Sequence, residues 1–285
     1  MAAHSPSTGP VGQQVKQATR KVVDNPWFER LARFGYASKG VVYLIAGLMT
    51  VRAAFGLGGQ ATDKNGALLT IIAEPFGRFL LAAIGIGLIG YILLRFVQAL
   101  LDPEHKGSDA KGIAQRVGYL LSGLLYVGLV LTSLRLAVGL PANSGDQLQS
   151  LVARVFEAPL GRWLVGIAGL IVIGNGLYQL YKAYRANFSE HFRWNAMSPA
   201  ERAGASWLGR IGLAARGIVH ILVGLFMVQA ALLFDANKAQ SSGGALQALA
   251  HPPFGLWTVG VVALGLAAYG IYMLAAARYS RIVTH

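Results

Sequence analysis

The chain has 285 residues, 54% of them hydrophobic and only 13% charged. Soluble domains hold about 25% charged residues, so this deficit excludes an ordinary soluble domain and points to lipid as the solvent. The absence of cysteine excludes disulfides, thiolate metal sites, iron–sulfur clusters and a cysteine nucleophile.

Residues 1–26 form a polar N-terminal segment. Val15, Thr19, Val22 and Val23 fall at roughly helical spacing between Lys16, Arg20 and Lys21, the pattern of a weak basic amphipathic helix. Residues 1–10 have no apolar run, so no cleaved leader is expected. Six apolar runs follow, at about 34–55, 76–101, 117–138, 160–184, 211–234 and 254–277. Each reaches the ~20 residues a helix needs to cross the hydrocarbon. Helices this apolar all round would need a far larger protein to bury them in water.

One stretch organises the runs. Arg33, Gly35, Gly40 and Tyr43 recur as Arg116, Gly118, Gly123 and Tyr126, and again as Arg210, Gly212, Gly217 and His220. Each copy is followed by a short amphipathic segment and a proline signature: Pro75-Phe76-Gly77, Pro159-Leu160-Gly161, Pro253-Phe254-Gly255. The unit is therefore an odd span, an interfacial helix, a break and an even span, with Phe79, Trp163 and Trp257 near the water–lipid boundary. An even number of spans per unit makes the copies parallel. The expected fold is an all-α membrane protein of six transmembrane helices, in three parallel two-helix repeats with a pseudo-threefold arrangement. The repeats run over 27–103, 104–187 and 188–285.

The net charge of +13 is distributed by topology. Eighteen Lys and Arg fall on the side of the termini and seven on the other. This bias predicts cytoplasmic termini. Because the basic residues surround span ends, no nucleic-acid partner is expected. Membrane lipids, and a membrane protein, are the partners to look for.

The repeated stripe at helical spacing reads first as a packing seam, since glycine lets membrane helices approach closely. Its second reading is a site, with Tyr43, Tyr126 and His220 forming a polar cluster near the axis. Lys39 and Arg216 are equivalent, with Ser122 between them in the repeat. They read either as side chains that snorkel to the surface or as contacts for an anion or lipid headgroup. Tyr91, Asn175 and Tyr269 align in the even spans, one turn before Arg95, Gln179 and Met273. Asn175 and Gln179 form an i, i+4 polar pair, either interhelical glue or part of a polar path.

His220 is the only histidine inside an expected span, which makes paired axial haem ligation unfavourable. No G-x-S-x-G, H-E-x-x-H, P-loop or Rossmann glycine pattern occurs. No catalytic residue, metal or cofactor is expected, and the chain reads as non-enzymatic. It reads as a helical scaffold binding lipid or protein partners, with a channel or transporter along the pseudo-threefold axis as the alternative.

The threefold R-x-G-Y-x-x-x-G-x-x-Y pattern, each copy followed by P-[FL]-G-x-[FW], resembles the domain of unknown function 1206 family of bacterial six-span proteins. The resemblance covers about residues 27–280 and implies an integral protein of the bacterial inner (plasma) membrane, with no assigned reaction. The third copy departs from the pattern at Leu213 and His220.

Overall fold

A computed structural model describes residues 25–58, 62–101, 110–141, 147–185, 192–250 and 255–280. The amphipathic N-terminal helix expected above lies outside these residues. Nine α-helices occur among them: α1 Pro26–Ala54, α2 Lys64–Ala73, α3 Gly77–Leu100, α4 Ala110–Ala137, α5 Gln147–Phe156, α6 Gly161–Arg185, α7 Pro199–Leu233, α8 Ser242–Ala250 and α9 Gly255–Tyr279. Six of them (α1, α3, α4, α6, α7 and α9) are long and apolar enough to cross a membrane. The protein is an all-α, six-span membrane protein.

The odd spans begin earlier than their apolar runs. Asn25 accepts a hydrogen bond from the Trp27 amide and precedes Pro26 in the first turn. Ser198 and Glu201 make a reciprocal capping box ahead of α7. Capping satisfies the orphan amides of the first turn, so the helix starts where the cap is, not where apolarity begins. The short helices α2 and α5 each end at a sharp elbow. Phe76 and Leu160 sit in the left-handed region at φ 62° and 65°. The next residues, Gly77 and Gly161, press on the Ile71 and Val155 carbonyls, where a side chain would collide. That contact is the physical reason for glycine in the first two proline signatures; in the third, Gly255 itself takes the left-handed region at φ 74°. Phe79, Trp163 and Trp257 are exposed in the first turn of the even spans.

The spans join by two kinds of seam. Between repeats, each odd span packs on the preceding even span: α4 on α3, α7 on α6, and α1 on α9, which closes the chain on itself. A Cβ on Gly40 would lie 2.8 Å from the Gly270 carbonyl oxygen, and one on Gly217 2.9 Å from that of Gly176. Such spacing requires glycine. Within repeats, α1 packs on α3 and α7 on α9. No comparable seam joins α4 to α6, so the arrangement departs from threefold at repeat 2.

Two of the three motif arginines, Arg33 and Arg116, lock between-repeat seams. The Arg33 guanidinium donates to the carbonyls of Ala277, Arg278 and Ser280 at the end of α9. Arg116 donates to those of Ala99 and Leu100 at the end of α3. A helix C-terminus carries unsatisfied carbonyls and partial negative charge, so a guanidinium there satisfies both.

Candidate functional site

The span helices carry four tyrosines and three cations to the middle of the bundle, and the short helix α2 adds a fourth cation. Lys39 lies about 20 Å from either end of α1 at 1.5 Å per residue, and is 1% exposed. Its ammonium donates to the Tyr91 hydroxyl at 2.8 Å. It also faces the rings of Tyr91, Tyr126 and Tyr269 at 4.3, 5.0 and 5.6 Å. Arg216, at the midpoint of α7, donates to the Tyr269 hydroxyl at 2.9 Å and lies over the rings of Tyr43 and Tyr269. Lys39 and Arg216 therefore do not snorkel. Their partners are buried hydroxyls and ring faces, where a cation is favoured by the ring quadrupole.

Arg95 and Lys64 complete the set. Arg95 donates to the Tyr91 hydroxyl at 2.9 Å and to Gln98 at 2.8 Å. Lys64, at the start of α2, turns inward to the rings of Tyr43 and Tyr126 at 5.7 and 5.1 Å. Among the described residues, no carboxylate lies within ion-pair distance of these four cations; the ion pairs there join Glu29 to Arg33 and Arg193.

Of the expected cluster, Tyr43 and Tyr126 meet, with 3.5 Å between hydroxyls. His220 is set to one side. Its Nδ1 is 2.7 Å from the Arg216 carbonyl, which places the proton on Nδ1, and 3.3 Å from the Gln179 amide nitrogen. The ring that packs on Tyr43 is Tyr269, edge-on at 4.8 Å. Gln179 donates weakly to Asn175, at 3.3 Å to its carbonyl and 3.4 Å to its side chain. The two bond to each other within α6, and Gln179 also reaches across to His220 on α7. Gln179 is 6% exposed, yet its Oε1 has no partner, and neither does the buried Nε of Arg216.

Sequence reasoning missed Tyr91, Tyr269, Arg95 and Lys64 as members of one cluster. A signal existed for the first two. Lys39 pairs with Tyr91 at a separation of 52 residues and Arg216 with Tyr269 at 53, the same register in two repeats. Nothing in the sequence turns Lys64 inward.

The family model described as Domain of Unknown Function (DUF1206) matches residues 34–102, 117–186 and 211–280. The chain belongs to this family. It is 33% identical over 261 residues to "Uncharacterized protein YxxB" of Bacillus subtilis (strain 168), covering 92% of each chain. No solved structure matches it. All three DUF1206 segments contribute to the cluster: the first Lys39, Tyr43 and Tyr91, the second Ser122, Tyr126 and Gln179, the third Arg216, His220 and Tyr269.

Proposed function

We propose that this membrane protein is a non-enzymatic binding protein whose buried cluster holds a phosphate-bearing anion. The supporting observation is the convergence of Lys39, Lys64, Arg95 and Arg216 on the tyrosines with no carboxylate beside them. Charge buried in a low-dielectric interior is costly unless compensated. Cation–ring contacts and hydroxyls offset part of that cost, and an anion would offset the rest. The unpartnered Arg216 Nε is a donor ready for it. Edge-to-face rings occupy the centre, which favours binding over conduction along the axis. The excess of Lys and Arg on the side of the termini supports cytoplasmic termini in a bacterial inner membrane.

The test uses detergent-purified full-length chain. Phosphatidylglycerol or inorganic phosphate should raise its melting temperature, whereas phosphatidylcholine or chloride should not. In a Lys39→Gln, Arg216→Gln double variant that still melts cooperatively, affinity should fall at least ~10-fold, the effect of losing one charge-assisted hydrogen bond. Equal response to charged and neutral additives would rule the reading out.

A further inference from the structure

The seam missing between α4 and α6 is accompanied by sequence changes at two of the four positions that carry it in repeat 1. In repeat 1 the contact is made by Gly35 against Gly87 and Tyr91, and by Gly90 against Leu31. In repeat 3, Gly212 meets Tyr269, and Gly265 meets Ala215. The corresponding residues of repeat 2 are Gly118, Ile171, Gly174 and Asn175. Ile171 stands where Gly87 and Gly265 admit the odd span. Asn175 stands where Tyr91 and Tyr269 receive the cation, and Ser122 where that cation would be. Ile171 is 50% exposed and Asn175 is exposed, and a Cβ on Gly118 or Gly174 would meet nothing within 4 Å.

Two further observations point to an occupant. Asn175 is exposed about 15 Å inside the Arg185 end of α6, a depth at which an amide facing acyl chains with only a weak bond from Gln179 is unfavourable. One turn on, Gln179 is buried with an unpartnered oxygen and lies beside His220 on α7, a turn from Arg216.

Resting on the anion-binding reading, we infer that the α4–α6 gap is a lateral entrance from the bilayer, through which an anionic phospholipid lays its headgroup against Asn175, Gln179 and Arg216 while its acyl chains stay against Val117 and Ile171. The occupant is a lipid because the groove joins an apolar, membrane-facing rim to a cationic interior. An aqueous anion would match only the interior, and a second protein copy would match only the rim.

The chain has no cysteine, so Gly118→Cys with Ile171→Cys gives a clean pair for bridging by a short, reducible bis-thiosulfonate. Vesicles of equal phosphatidylglycerol and phosphatidylcholine supply the lipid, and native mass spectrometry counts what the protein retains. The unbridged variant sets the reference loading, and it should still prefer phosphatidylglycerol to phosphatidylcholine because Asn175, Gln179 and Arg216 are intact. Bridging should slow loading at least tenfold, reduction should restore it, and stabilisation by inorganic phosphate should persist throughout. Unchanged loading in the bridged protein overturns the lateral route. So does a parent stabilised by inorganic phosphate that never retains phosphatidylglycerol, which would make the ligand an aqueous anion. A bridge that instead links two chains would show the gap to be a contact between copies, and also overturns it. If neither phosphate nor phosphatidylglycerol binds, the anion reading itself fails.

Discussion

Repeats 1 and 3 hold their two spans together in the same way, and repeat 2 does not. Lys39 reaches Tyr91 in the first and Arg216 reaches Tyr269 in the third, each across a glycine contact. In repeat 2 the positions are Ser122 and Asn175. Ser122 lies 3.1 Å from the Tyr91 hydroxyl of the neighbouring repeat instead, and α6 faces outward over most of its length. Loss of the clip, loss of the glycine and loss of the seam coincide. A duplicated unit can keep its fold while one copy gives up an internal contact, because the between-repeat seams α3–α4 and α6–α7 still anchor the odd copy.

The comparison breaks most severely if repeat 1 is given repeat 2's residue. A Cβ on Gly87 would overlap the Ser38 side chain and approach Phe34, so Gly87→Ile forces α1 from α3. Its cost should be at least ~3 kcal/mol, the top of the usual overpacking range. Ile171→Ala should stay within about 0.5 kcal/mol, since Ile171 has no helix packed on it. Thermal melts in a fixed detergent read both, and equal losses would mean that the α4–α6 gap is closed in the membrane.

A smaller contrast lies in the hydroxyls. Tyr91 accepts from both Lys39 and Arg95, so Tyr91→Phe leaves a buried ammonium without its acceptor and should cost about 2 kcal/mol. Tyr269→Phe removes the acceptor of Arg216 and should act alike. Asn175→Ala should cost less than ~0.5 kcal/mol of stability while weakening retention of phosphatidylglycerol. That split between stability and binding separates the clip of repeats 1 and 3 from the open groove of repeat 2.

The six spans, the three copies and the elbows were legible because lipid leaves a long apolar run and because duplication repeats its punctuation. The span starts were not, since Asn25 and Ser198 cap polar turns that apolarity does not mark. The cluster was half legible. Tyr43 and Tyr126 sit on the repeated stripe and meet, while Lys39 and Arg216 invite a snorkelling reading whenever the hydroxyls awaiting them on another helix are unknown. His220 occupies the Tyr43 position of its repeat, but Arg216 one turn before it takes up its ring nitrogen through the main chain. The tyrosine in its place comes from the even span, which stripe periodicity on odd spans cannot reveal.

The smallest contrast concerns the motif arginine itself. Arg33 and Arg116 cap the ends of α9 and α3, but no such cap links Arg210 to the described residues of α6. Arg210 is exposed, with its guanidinium 5.9 Å from the Trp207 ring. Arg116→Ala and Arg33→Ala should each cost roughly 1 kcal/mol, since these bonds are charged but partly open to solvent. Arg210→Ala should cost less than about half of that. The α6–α7 seam can do without the cap because Gly176 faces Gly217 and Gly169 faces Gly224, giving it two backbone-close contacts. The α3–α4 seam has Ile92 and Val130 at two of these positions. If Arg210→Ala proves as damaging as Arg116→Ala, the arginine would be acting at the membrane surface and not as a helix cap, and the glycine contacts would not account for the difference between the seams.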